Sequence, residues 1–99
     1  MTQQKMQVTA DNESRKPNYS NLALITHRKE EFVIDFLFVD PQAQAQPQGQ
    51  QGTKAGQAML SSRVVLNPVH MKRLFQAIGE NIQRYEKNFG NIVIPPKLQ

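Results

Sequence analysis

The sequence predicts an α+β fold: a three-stranded antiparallel meander followed by one long C-terminal amphipathic helix, dimerised through apolar surface. Three observations carry that prediction. The stretches "YSNLALITH", "EEFVIDFLFVD" and "AMLSSRVVL" are rich in the β-branched and aromatic residues that suit a pleated surface. The segment "NPVHMKRLFQAIGENIQRYEKNFGN" has a helical apolar period between a start signal and a stop signal. All three strand stretches are apolar on both faces, which a sheet with one wet side would not be.

Taken in order, residues 1–18 are polar and without period, and read as a disordered arm. A single α+β domain is expected over residues 19–94, with residues 95–99 as a tail. The first two strands are separated by Arg28-Lys29-Glu30, a polar tripeptide of hairpin length. In the second strand Phe32, Ile34, Phe36 and Phe38 share one face, and Val33, Asp35, Leu37 and Val39 share the other. Asp40-Pro41 ends it. Residues 41–57 read as a flexible loop, since six of the eleven residues 41–51 are Gln and hydrophobes are missing.

The third strand, Ala58–Leu66, runs straight into the helix. Asn67 suits the N-cap, and Pro68 suits the first helical position, where its missing N–H costs nothing. Leu66 and Met71 are spaced as a hydrophobic staple. Met71, Leu74, Phe75, Ile78, Ile82, Tyr85 and Phe89 then fall within a stripe roughly 100° wide. Gly90 is expected to supply a left-handed stop. Gly79 costs about 1 kcal/mol relative to Ala in a helix interior. Beside Phe75 at the stripe's edge, it marks a place where another backbone can approach.

The stripe is expected to rest on one face of the sheet, so that Ile78→Asp or Ile82→Asp would abolish folding. The other face, carrying several large side chains, then needs a partner. The economical partner is a second copy, which makes the chain a homo-oligomer, most simply a dimer. The short apolar tail Asn91–Ile94, stopped by Pro95-Pro96, is placed to add an edge strand or to reach across to that partner.

Composition limits the chemistry. Ninety-nine residues make one domain at most, and the absence of cysteine excludes disulfides and thiolate metal sites. No segment is a membrane span or secretory signal, so a cytoplasmic location without membrane partners is expected. The net charge of +4 is uneven: residues 1–50 carry five Lys/Arg against six Asp/Glu, and residues 51–99 carry seven against two. His27 and His70 lack further ligands at metal spacing. "GQQGTKAG" lacks the Gly-Lys-Ser/Thr ending of a phosphate loop. No nucleophile elbow, dinucleotide fingerprint or carboxylate pair is present, so neither a cofactor nor an enzymatic role is expected.

Two sets of residues stand out as candidate sites. Lys72, Arg73, Arg84 and Lys87 lie on the helix's polar side, where they suit phosphates or an acidic partner. Asp35 and Arg63 are charges within otherwise apolar strands, and suit a cross-strand structural ion pair.

The "YSN" opening a strand, the "EEFVIDF" strand and "SSRVVLNPVHMKRLFQAIGENIQRYEKNFGNI" together resemble a family of short prokaryotic proteins known only as a domain of unknown function. The resemblance covers about residues 19–94. It implies a complete bacterial or archaeal protein and brings no activity, cofactor or catalytic residue. The sequence therefore points to a non-catalytic, homo-oligomeric interaction or adaptor module with a further, unidentified protein partner. One alternative is a nucleic-acid-associated protein using the basic C-terminal half. Another is a chaperone-like binder of extended polypeptides, by analogy of layout with the bacterial export chaperone.

Overall fold

The structure, a computed structural model, describes residues 5–41 and 57–96. The elements follow in the order α1 (Asn12–Arg15), β1 (Leu22–His27), β2 (Phe32–Phe38), β3 (Met59–Leu66) and α2 (Pro68–Phe89). The strands form a three-stranded antiparallel sheet in the order β1-β2-β3, so β2 is central and β1 and β3 are its edges. The α+β meander read from the sequence is the observed architecture. The Gln-rich segment falls almost wholly outside the described residues, as do residues 1–4 and 97–99.

By packing, the described residues form two compact units. One holds the residues up to Leu24 together with Ile34–Arg63, and the other holds Ile25–Val33 together with the chain from Val64 onward. In the first unit, α1 is a single turn within residues 1–18, which the sequence reading gives as a disordered arm. Asp11 caps it, its Oδ1 accepting the Ser14 N–H at 2.7 Å. The start of β1 is fastened there by three consecutive residues. Tyr19 stacks edge-on against Phe38, with ring centroids 5.9 Å apart, and its carbonyl accepts the Ser61 hydroxyl at 2.9 Å. The Ser20 hydroxyl lies 2.9 Å from the Leu22 carbonyl and 3.0 Å from that of Leu37, donating to one at a time. The Asn21 side chain copies a backbone amide: its Oδ1 accepts from Val39 N–H and its Nδ2 donates to Val39 C=O, both at 2.9 Å. These bonds satisfy strand-end groups that would otherwise lack partners.

The second unit contains the β1–β2 turn. Arg28 N–H donates to Glu31 C=O at 2.9 Å, so the connection closes around Lys29-Glu30, one residue longer overall than the tripeptide read from the sequence. Among the described residues no non-glycine has positive φ, so this turn is not of the primed type that two-residue hairpins favour.

Helix α2 begins and ends where its sequence signals lie. Asn67 Oδ1 accepts the His70 N–H at 2.7 Å, and Pro68 occupies the first turn. At the other end Gly90 has φ 103° and ψ 165°. This differs from the expected left-handed stop: φ is positive, but ψ is extended, a region open essentially only to glycine. Gly90 N–H still completes the helical ladder by donating to Glu86 C=O at 2.9 Å, and the chain then turns away. Residues Asn91–Ile94 are not a strand, which corrects the edge-strand expectation. Ile92 N–H instead donates to Glu86 Oε2 at 3.0 Å, doubling the tail back beside the last turns of the helix.

The core is small. Among the described residues only Ile34 on β2 and Leu66 at the end of β3 are buried, each 5% exposed, one in each unit. Helix α2 buries none of its residues, although Met71, Leu74 and Glu86 are half-buried. The expectation that its stripe is buried on the sheet is therefore not met. The apolar period favours covering one face of the helix, and the described residues leave that face largely exposed.

Substitutions at the helix ends test this description. Asn67→Ala should lower stability by about 1 kcal/mol. Gly90→Ala should cost about 1–3 kcal/mol from backbone strain alone, because a Cβ there would meet nothing within 4 Å. Urea unfolding at fixed protein concentration measures both, and a Gly90→Ala chain as stable as the parent would contradict the observed conformation.

Candidate functional site

The candidate site is the outer face of α2. The 3.6-residue period aligns Phe75, Ile78, Ile82, Tyr85 and Phe89 along the 22-residue helix, a rod about 33 Å long. These five side chains are 44–75% exposed. Tyr85 and Phe89 stack at 5.0 Å with a tilt of 45°, which stiffens the C-terminal end of the stripe. Leu74, Ile78, Asn81, Ile82, Tyr85 and Ile92 line an open, largely apolar groove along one side. Ile92 belongs to it only because Gly90 turns the chain back. Asn81 is held by its own helix, with Nδ2 donating to Ala77 C=O at 2.9 Å. A groove of this chemistry offers apolar contact and few polar handles, so it suits an apolar helix or segment better than a small polar substrate.

The four basic candidates are all exposed on α2, but they do not converge. Lys72 and Arg73 are neighbours in the first half of the helix, flanking a shallow depression with Pro68, Val69 and Gln76. Arg84 and Lys87 lie roughly 16 and 21 Å beyond Arg73, by the helical rise. Arg84 Nη1 donates to Asn81 Oδ1 at 3.3 Å, and Lys87 sits in the last turn, where it complements the helix dipole. Glu80 falls between the two pairs in sequence. The arrangement is two basic doublets rather than one patch.

Asp35 on β2 and Arg63 on β3 are brought together. Arg63 Nε donates to Asp35 Oδ1 at 2.6 Å and Nη2 donates to Oδ2 at 3.1 Å, a fork-on-carboxylate pair. The hydrogen bonds from Arg63 hold the Asp35 carboxyl below its ordinary value, against a smaller opposing effect of desolvation. The same bonds raise Arg63. The side chains are 22% and 59% exposed, so water screens the pair and it stitches adjacent strands rather than forming a sealed reactive site. Among the described residues no group of three His, Asp or Glu is placed to hold a metal ion. His27 tilts against Phe32 at 5.4 Å, and the backbone N–H of His70 is taken by the helix cap.

Two features were not legible as such. The role of Ile92 depends on the turn at Gly90, which periodicity does not describe. The fastening by Tyr19, Ser20 and Asn21 had a signal, a polar triplet at the mouth of an apolar strand, but not a geometry.

A family model described as "Protein of unknown function (DUF3467)" matches residues 1–94. The chain belongs to that family. The match takes in the N-terminal residues as well as the sheet and helix, so α1 and the Tyr19–Asn21 fastening lie inside the family's extent. No curated protein and no solved structure matches the chain significantly. No helix among the described residues is long and apolar enough to cross a membrane.

The Asp35–Arg63 pair carries a pH dependence of definite sign. A carboxyl lowered in the folded state contributes stability that is present above its unfolded pKa and lost as pH falls through its folded one. Asp35→Asn should therefore be less stable than the parent at pH 7, and its stability should fall less steeply below about pH 4. Urea midpoints across pH 7 to 3 read this out. Parallel curves for the two chains would contradict it.

Proposed function

We propose that this protein is a non-catalytic, homo-oligomeric interaction module, most simply a dimer, that completes its own core by association and then presents its remaining surface to a further protein. The observation that supports this most is the exposure of the α2 stripe, whose five large side chains remain 44–75% in water. Covering each would contribute roughly 0.8–1.5 kcal/mol, about half of a full burial. A patch of that kind normally marks an interface. The tail adds to it, since Val93 and Ile94 are also exposed beside the groove's Ile92. A prokaryotic, cytoplasmic setting belongs to this reading, consistent with a chain that has no cysteine.

A second reading has its own supporting observation. Edge strand β1 exposes every residue, including Leu22, Leu24 and Ile25 on its two faces. Such an edge can accept an extended polypeptide by strand addition, the behaviour of a chaperone-like binder. The two basic doublets support a nucleic-acid role less well, because they are separated along the helix and Glu80 intervenes.

Size exclusion with light scattering, recorded at protein and nucleic-acid wavelengths together, separates these readings. The expected result is a mass near twice 11.3 kDa, free of nucleic acid. A nucleic-acid-laden peak that clears in high salt would transfer the role to the basic doublets. Ile82→Asp, now placed on an exposed surface rather than in a core, should give a smaller species that keeps its far-ultraviolet helix signal. A monomeric parent chain would overturn the proposal.

A further inference from the structure

Resting on the reading of the chain as a homo-oligomer, the stripe on α2 allows the geometry of association to be specified. Met71, Phe75, Ile78, Ile82, Tyr85 and Phe89 are spaced by 4, 3, 4, 3 and 4 residues, an unbroken a/d repeat through the helix. A repeat of this kind is a seam for another helix. Among the described residues the seam is open from Phe75 onward, those five side chains being exposed and Met71 half-buried.

The residues flanking the seam decide what lies across it. On one flank stand Lys72, Gly79 and Glu86, and on the other Leu74, Asn81 and Asn88. We propose that two copies of α2 pair antiparallel about a two-fold axis beside Gly79. Aligned so that every seam residue finds a partner, Met71 comes level with Phe89 of the second copy, Phe75 with Tyr85, and Ile78 with Ile82. A shift of one heptad leaves an end of the seam unpaired. The same alignment sets Lys72 against Glu86 of the second copy, twice by symmetry, and Gly79 against Gly79. A parallel pairing would instead oppose Leu74 with Gly79 and Asn81 with Glu86, and it offers no complementary charges.

Each flanking residue is ready for this role. Among the described residues the Lys72 side chain makes no ion pair or hydrogen bond, and it is exposed. Glu86 uses Oε2 to accept the Ile92 N–H, which fixes its carboxylate and leaves Oε1 for a cation. A Cβ on Gly79 would meet nothing within 4 Å, so its own chain does not require glycine there. A second backbone crossing at that point does. The occupant of the seam is thus a second copy of this chain.

Charge exchange tests the register in the full-length protein. Lys72→Glu and Glu86→Lys each replace two attractive contacts with two repulsive ones, and each should weaken the dimer on the order of ten-fold at low salt. Mixed together, the two variants regain both contacts in a heterodimer and should recover the parental affinity. In 1 M salt the differences should shrink. Gly79→Ala should also weaken association several-fold, although Ala favours the helix itself. Sedimentation gives the affinities, and circular dichroism confirms that each variant is folded. If the parent is a dimer but both single variants associate as it does, or the mixture fails to recover, the antiparallel seam is wrong while self-association stands. A tighter Gly79→Ala dimer would likewise overturn the close crossing. A monomeric parent would remove both proposals.

Discussion

The feature on which the rest depends is apolar surface with too little protein to cover it. Among the described residues only Ile34 and Leu66 are buried, in a chain that carries a three-stranded sheet and a 22-residue helix. Short chains bury a smaller share of their surface than long ones, and they complete the deficit with disulfides, metals or partner subunits. This chain has no cysteine, and among the described residues no cluster is arranged for a metal. The association proposed above would supply the missing burial through the α2 stripe, whose five large side chains are exposed.

Polar interactions define local geometry here rather than supplying the missing burial. The Asn21 amide on Val39, the Ser61 hydroxyl on Tyr19 and the Asn67 cap each satisfy backbone groups at the end of an element. Such bonds contribute modestly when made and are costly to lose, so they sharpen where a strand or helix stops. The Asp35–Arg63 pair belongs with them: it ties β2 to β3, and its exposure keeps it from resembling a perturbed catalytic pair. Gly90 is the positional counterpart, because its glycine-only conformation sends Ile92 back along the helix to line the groove.

Much of the fold was legible because its signals were local. The alternation through Phe32–Phe38 marked the central strand, and Asn67-Pro68 with Gly90 bracketed the helix. Burial was not legible, for a physical reason. Periodicity states that the side of α2 bearing Ile78 and Ile82 avoids water, but not whether its cover comes from the same chain. The expectation gave the helix stripe to the chain's own sheet and only the sheet's other face to a second copy, whereas the stripe itself remains exposed. The one-turn helix at Asn12–Arg15 is too short to leave a period, so the sequence reading passed over it within the polar arm. "NIVI" has strand-like composition, yet the bond from Ile92 to Glu86 takes it elsewhere. Asp35 and Arg63 drew notice as charges in apolar strands. The four basic residues drew notice by type alone, and the helix separates them into two doublets.

The central claim is that self-association adds the burial the single chain lacks, and the most direct test is the dependence of stability on protein concentration. Urea unfolding followed by circular dichroism over a hundred-fold range of concentration measures it. If self-association completes the core, the midpoint rises steadily with concentration, because mass action favours the assembled folded state. A midpoint that stays fixed over that range, in a chain that remains monomeric throughout, would show that the single chain is sufficient and would contradict the account.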